Sequence, residues 1–538
     1  MHETRRRQIS RRSLLRATGA TAGAVTLGTG IAQAAGRAQP QGAARAAGSA
    51  QGSGYAHPGL LHTGADLDRM AAKVKAGAAP YAAGFARLTA NRHAQSGWTA
   101  NPQATVYRGA GSPQNYAILY NDVHAAYQNA LRYHVAGDTA HADTAVAILN
   151  SWSSKLTSLE GSADRFLAAG LYGYQIANAA ELVRDRDDFE LDRFRTMLTT
   201  VFAPVSESFL KDHNNAVVTN YWTNWDLTAM ACVLATGIFC DDEARVARVV
   251  EYFENGAGLG SVRNAIPVVG DDGLAEWLEA GRDQGHALLG VGLMGTVCEM
   301  AWNQGIDLYG YDDSRFLKGA QYVAKWSLGG DVSYTANTRR KGAIGGWSGS
   351  ETASDAAPVD PTMTRPIWAM ISNHYTKRRG LSAPYLTRIA AKATPEGGGG
   401  DYGPNSGGYD QLGFGTLAFT RDKVTGSGAG AGGGTGGGTG GGTGGGKPAG
   451  AGSASPSGSA SPSGPAANAP DGSAPGPGSA TTPAGGNSGD LASTGTGDLA
   501  AWTAATGITA LAGGLLLLRR RGKTQQEQPR TGGGAHSK

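Results

Sequence analysis

The sequence predicts an all-α body, an incomplete (α/α)n toroid with a short β element near its C-terminal end. Three observations predict it. Helix-length apolar patterns follow one another from residue 116 to 327, with little strand-like alternation among them. Alternate segments differ in character: 225–237 and 284–304 are apolar nearly all round, whereas 191–210 and 242–254 are amphipathic. Helices apolar on every side are buried and amphipathic ones lie outside them, which gives an inner ring of helices wrapped by an outer one.

In chain order, helices are expected over residues 116–136, 139–153, 164–184, 191–210, 225–237, 242–254, 284–304 and 314–327. In the seventh, Gly290, Gly292 and Gly295 let a neighbour pack closely. The run Gln411 to Thr420 is the expected β element. If the inner helices all run the same way, their N-terminal ends gather on one face. Asn115 to Asp122, Asp164-Arg165, Asn224, Arg282, His286 and the loop Asp331 to Trp347 then share that face, and Tyr309 and Tyr311 lie on the other. Helix N-termini attract anions.

The two ends read as addresses. Ser10-Arg-Arg-Ser-Leu-Leu-Arg16 matches a twin-arginine export pattern, closed by the Ala32-Gln33-Ala34 cleavage signature at Ala34. At the other end Leu491-Ala-Ser-Thr-Gly495 precedes an apolar span, residues 499–518, and then Arg519-Arg-Arg521. The span is long enough for a bilayer and the arginines would hold that end inside. The order resembles an LAxTG-type sortase sorting signal of high-GC Gram-positive bacteria. That resemblance implies cleavage between Thr494 and Gly495 and a link from Thr494 to the cell-wall peptide; a plain membrane anchor is the alternative. The domains are then a signal peptide (1–34), a linker (35–54), the helical body (55–421), a Gly/Ser/Thr/Pro-rich tether (422–490) and the sorting signal (491–538). The tether cannot bury a core; its mean reach is roughly 45 Å. The implied setting is the outer surface of a Gram-positive cell, with a twin-arginine translocase and a sortase as partners.

Charge follows the same division. Residues 1–34 hold six Arg against one Glu, and residues 519–538 six Lys/Arg against one Glu; with +4 overall, residues 35–518 carry about −6. A nucleic-acid binder needs its basic surface in the body, so that reading loses its support. Three cysteines are too few for a disulfide framework. Cys232 and Cys240 sit on one expected helix, ~12 Å apart by its rise, too far to bridge. Buried thiols are expected, and no metal-ligand spacing or cofactor motif occurs.

The most informative stretch is Glu276-Trp-Leu-Glu-Ala-Gly-Arg-Asp-Gln-Gly-His286, just before an apolar run. Arg282 and His286 lie four apart at a helix start, suited to holding a carboxylate and moving a proton beside it. Upstream, Asn220-Tyr-Trp-Thr-Asn-Trp-Asp226 also precedes an apolar helix. Together these segments resemble the alginate lyase superfamily of secreted polysaccharide lyases, over roughly His57 to Thr420. The resemblance implies a helical toroid that cleaves an anionic uronate polymer, alginate first and glucuronan next, by β-elimination without a cofactor or metal.

Such an enzyme removes the C5 proton of a uronate and expels the 4-linked oxygen. It must offset the neighbouring carboxylate as enolate-like charge develops, and it needs a base and an acid in reach. By the resemblance Asn224 is the neutralising amide. Many relatives carry His after it, where this chain has Trp225, so the base is assigned to His286, with Arg282 as carboxylate clamp and Tyr334 as acid. Tyr221, Trp222, Trp225, Trp347 and Arg365 are the candidate sugar-binding residues. Rival roles are an N-cap for Asn224, a core imidazole for His286, and ion pairing of Arg282 with Glu279 or Asp283. Rival functions are a glycoside hydrolase using two opposed carboxylates from Asp272, Glu276, Glu279 and Asp283, or a non-catalytic, wall-displayed polysaccharide-binding protein.

Overall fold

The computed structural model describes residues 54–109, 114–400 and 409–424. The signal peptide with Ala34, the tether beyond residue 424, Thr494, Gly495 and the apolar span 499–518 lie outside the described residues. Among the described residues no helix is long and apolar enough to cross a membrane.

The body is mostly helical. Its elements are α1 (Gly64–Lys75), α2 (Tyr81–Ala90), β1 (Thr105–Arg108), α3 (Tyr116–Ala136), α4 (Thr139–Lys155), β2 (Ser158–Gly161), α5 (Asp164–Glu181), α6 (Leu191–Met197), α7 (Ala203–Asp212), α8 (Thr223–Phe239), α9 (Glu243–Asn255), α10 (Val262–Ala265), α11 (Gln284–Asn303), α12 (Tyr311–Ser327), β3 (Asn337–Gly342), β4 (Ser348–Ala353), α13 (Trp368–Asn373), α14 (Pro384–Ala393) and α15 (Gly415–Ala418). Each expected helix is present. The one expected at 191–210 is α6 and α7 joined through a π turn at Leu198–Phe202. Pro204, which has no N–H to donate, lies two residues beyond it in the first turn of α7. In α12, Asp312, Asp313 and Ser314 have positive φ, so regular helix begins only beyond them.

Helices α3, α5, α8 and α11 pack side by side, and α13 follows against α11. Every residue of α8 is buried, as is α11 from Gln284 to Ala301. By contrast α9 buries only Val246, Val249 and Phe253. Inner and outer rings therefore separate as their apolar patterns dictate. The inner helices approach closely where side chains are absent: a Cβ on Gly170 of α5 would lie 2.7 Å from the Thr228 backbone of α8, and one on Gly292 2.7 Å from Ile367.

The C-terminal segment returns to the N-terminal helices. Tyr81 Oη donates to Thr420 O at 2.6 Å and Arg69 to Ala418 O at 2.8 Å. Arg421 reaches Asp66 at 2.7 Å and the buried Glu299 at 3.5 Å, while Lys73 pairs with Asp422 at 2.8 Å. The expected β element at 411–420 is not a strand. A single bridge, Gly398 to Gly413, is all the pairing it makes. Phe414 then turns the chain at φ +57°, and the next four residues form α15.

Strands lie elsewhere. β1 and β2 pair in parallel, and β3 and β4 form an antiparallel hairpin from Asn337↔Ala353 to Gly342↔Ser348. Of the cysteines, Cys232 and Cys298 are buried and Cys240 partly so, all three as free thiols.

Candidate active site

The N-terminal ends of the inner helices meet along one rim. Tyr120 of α3 stacks on Tyr409 with ring centroids 4.7 Å apart. The next residue, Asp410, pairs with Arg365 at 2.5 Å before α13. Gln284, at the start of α11, exchanges hydrogen bonds with the Asp360 backbone. Glu279, just ahead of α11, bonds to Thr223 and Asn224 at the start of α8.

The sequence 276–286 builds the centre of this rim. A 3-10 turn at Leu278–Gly281 sets Glu279 and Arg282 three residues apart, on one side of the chain. Asp283 is extended (φ −169°) and caps α11: its Oδ1 accepts from His286 N at 2.8 Å. Its other oxygen lies 2.7 Å from His286 Nδ1. On the far side of the ring, Arg282 donates to His286 Nε2 at 2.9 Å. An Arg has only donors, so Nε2 accepts and Nδ1 carries the proton toward Asp283. Burial pushes the Asp283 carboxyl up, but the hydrogen bonds it accepts from His286, with the Arg282 guanidinium, outweigh this and hold it at about 2.

Glu279 is fully buried. Its Oε1 accepts from Asn224 Nδ2 at 2.6 Å and from Arg282 at 2.9 Å. Its Oε2 accepts from Thr223 Oγ1 and, at 3.3 Å, from the Asn224 backbone. Asn224, Arg282 and His286 are thus brought into one network, with Glu279 and Asp283 as the joints. The Asn224 amide points at Glu279, and its side chain does not cap α8. The pairing of Arg282 with Glu279, which from sequence rivalled a substrate role, is present.

Trp222 lies between two guanidinium groups, with Arg339 4.5 Å and Arg282 5.9 Å from its ring centre. Arg339 comes from β3, donates to Thr219 O and Asn220 O, and pairs with Glu351 of β4 at 2.5 Å. Tyr334 packs against Gly281, and its hydroxyl donates to Leu278 O at 2.8 Å. Burial, with the Glu276 and Glu279 charges, pushes that phenol up to about 12.

Other sequence candidates fall elsewhere. Trp225 is 2% exposed and packs against Tyr221 and Phe209. Tyr221 is also buried and accepts from Asn214. Neither presents a face to a sugar, because the helix start turns both inward. Arg365 is 2% exposed and committed to Asp410. Trp347 is exposed at the tip of the β3–β4 hairpin. Arg339 was not singled out from the sequence, and Glu279 and Asp283 were named there only as partners of Arg282 or as carboxylates of the rival hydrolase. For these two the signal was present, as carboxylates three residues from Arg282 and His286.

Residues 95–332 match the family model described as alginate lyase. No curated protein matches the chain. Similar solved structures include a histidine-to-alanine variant of alginate lyase A1-III in apo form, 14% identical, spanning 67% of this chain and 95% of its own, at TM-score 0.41. An alginate lyase from Bacteroides ovatus is 14% identical over 49% of this chain and 82% of its own, at TM-score 0.35. Alginate lyase A1-III from Sphingomonas species A1 is 16% identical over 48% and 76%, at TM-score 0.35.

Proposed function

We propose that this body, which matches the alginate lyase family model over residues 95–332, is a polysaccharide lyase that cleaves a uronate polymer by β-elimination at the Arg282–His286 network. Alginate is the first candidate substrate and glucuronan the next. The observation that carries the reading is the chain Asp283–His286–Arg282, with the imidazole proton on Nδ1 and its basic nitrogen covered by a guanidinium.

A uronate carboxylate draws the Arg282 N–H away from His286 Nε2, while the other guanidinium arm stays on Glu279. Binding the substrate's charge therefore uncovers the base. Nε2 takes the C5 proton. The C5–H electrons become the C4–C5 double bond, the C4–O bond breaks, and the leaving oxygen takes a proton from Tyr334. With its phenol raised to about 12, Tyr334 keeps its proton at neutral pH until an alkoxide-like oxygen claims it. Asn224 serves by holding Glu279, and so Arg282, in place.

The export and sorting motifs support a wall-displayed enzyme, reached through a twin-arginine translocase and a sortase. The test of activity is incubation of the purified protein with alginate, polyglucuronate and hyaluronan. Growth of ultraviolet absorbance from the unsaturated uronate is expected with at least one of them. New reducing ends without absorbance would replace the lyase by a hydrolase, and binding without either product would leave a carbohydrate-binding protein.

A further inference from the structure

Among the described residues the two most exposed large apolar side chains share one turn. Ile344 is 70% and Trp347 65% exposed, both at the tip joining β3 to β4. The tip is tied to the body: Ile344 N donates to Asn215 O at 2.8 Å, Gly342 N to Asn220 Oδ1 at 2.8 Å, and Val217 N to Gly342 O at 2.9 Å. The Trp347 indole lies across Gly349, where a Cβ would come within 3.1 Å of the ring. One part of the ring is thus backed by main chain while the rest stands in water. Apolar surface held rigidly in solvent marks a contact site.

The surroundings select the occupant. Lys341 Nζ lies 5.9 Å from the Trp347 ring centre, and the exposed Arg340 is its neighbour on β3. The hairpin holds three cations, Arg339, Arg340 and Lys341, against one carboxylate, Glu351. Glu351 is committed mainly to Arg339 at 2.5 Å and lies 3.9 Å from Lys341. A second copy of this tip would bring cations against cations in a symmetric contact. A sugar acid presents the complement, an apolar pyranose face for the indole and a carboxylate for Lys341 beside it. From Gly342 the strand leads back to Arg339, beside Trp222, in three residues or roughly 10 Å.

We infer that the Trp347 tip is a distal subsite, binding uronate units of the polymer that lie outside the reacting pair. This rests on the lyase reading for its substrate class, and it makes affinity grow with chain length. The test uses full-length protein carrying His286→Ala, so that polymer survives, run in gels containing polyglucuronate, alginate or a neutral glucan. Retardation by a polyuronate but not by the glucan is expected. Trp347→Ala and Lys341→Ala should each weaken that retardation, Trp347→Ala by about tenfold, while Trp347→Phe restores most of it. Leu381→Ser, which removes apolar surface elsewhere, should leave it unchanged. Full retardation of Trp347→Ala, or equal retention by neutral glucan, would overturn the inference. So would a tip variant whose only effect is to convert a dimer to a monomer in light scattering. Binding that depends on Trp347, from a wild-type protein that never yields an unsaturated product, would uphold the subsite and remove the elimination chemistry instead.

Discussion

Asn224 and Arg282 give hydrogen bonds to the same atom, Oε1 of Glu279, at 2.6 and 2.9 Å. An amide from one inner helix and a guanidinium from the approach to the next are thereby indexed to a single buried charge. The carboxylate of Glu279 fixes where Arg282 stands, and Arg282 decides whether the imidazole beyond it is covered.

Removing that carboxylate should be costly. Glu279→Ala leaves four donors without an acceptor and a guanidinium without its buried partner, a loss of about 3–5 kcal/mol. The urea midpoint of unfolding should fall accordingly. Glu279→Gln keeps the shape and should lose less stability, yet raise KM, because Arg282 is no longer held by charge. Unchanged KM and midpoint in both variants would show Glu279 to be a bystander.

His286→Ala should lower turnover at least about a hundredfold, with the far-ultraviolet circular dichroism of the wild type. Near-normal rates would remove the base from this residue.

Asp283→Asn separates two jobs held by one side chain. Asparagine still caps α11, so the melting temperature should move by only a few degrees. It no longer fixes the imidazole proton on Nδ1, however, and kcat should drop by about a hundredfold or more. A large loss of stability with kcat intact would reverse that assignment.

Glu396 gives a pH signature outside the site. Burial pushes its carboxyl up to about 7, despite hydrogen bonds from the Trp368 and Ala369 backbone. A raised carboxylate binds its proton more tightly in the folded state, so the stability it lends is complete below the unfolded value of 4.5. It fades as pH climbs and is gone above about 7. The swing is about 3 kcal/mol. Melting curves of Glu396→Gln should decline less between pH 5 and pH 8 (, roughly that window) than those of the wild type; parallel curves would mean the group does not titrate there.

Gly170→Ala places a methyl against the Thr228 backbone, where α5 and α8 cannot part without moving the ring. A loss of about 1–3 kcal/mol is expected, read as a lower melting temperature; an unchanged one would show the contact to be slack.

Much of the ring was legible because its helices differ so plainly in what they must hide. The wholly apolar 284–304 run can only be an inner helix, and the sparse apolar stripe of 242–254 can only lie outside. The hairpin was not legible. Asn-Thr-Arg-Arg-Lys-Gly and Ser-Gly-Ser-Glu-Thr-Ala have no apolar alternation, since β4 buries none of its residues, so backbone pairing and the polar cross-strand pairs Arg339–Glu351 and Thr338–Thr352 make them strands. The stretch 411–420 misled for the opposite reason: its alternation of large apolar and small residues serves packing on α2 and α13. At the site, spacing revealed Arg282 and His286 but not that Asn224 faces a carboxylate, because that contact joins residues 55 apart in sequence. Trp225 and Tyr221 sit beside chemistry in the sequence and beneath it in space.

The lock formed by Arg421 with Asp66 and Glu299 has a mechanical consequence. Tension entering the body at residue 424 meets the hydrogen bond from Val424 N to Lys377 O, then Lys73–Asp422, and then that lock. A load on the C-terminal side is thus passed to α1 and α11 together, at the end of α11 away from His286, and the rim around His286 is spared the strain.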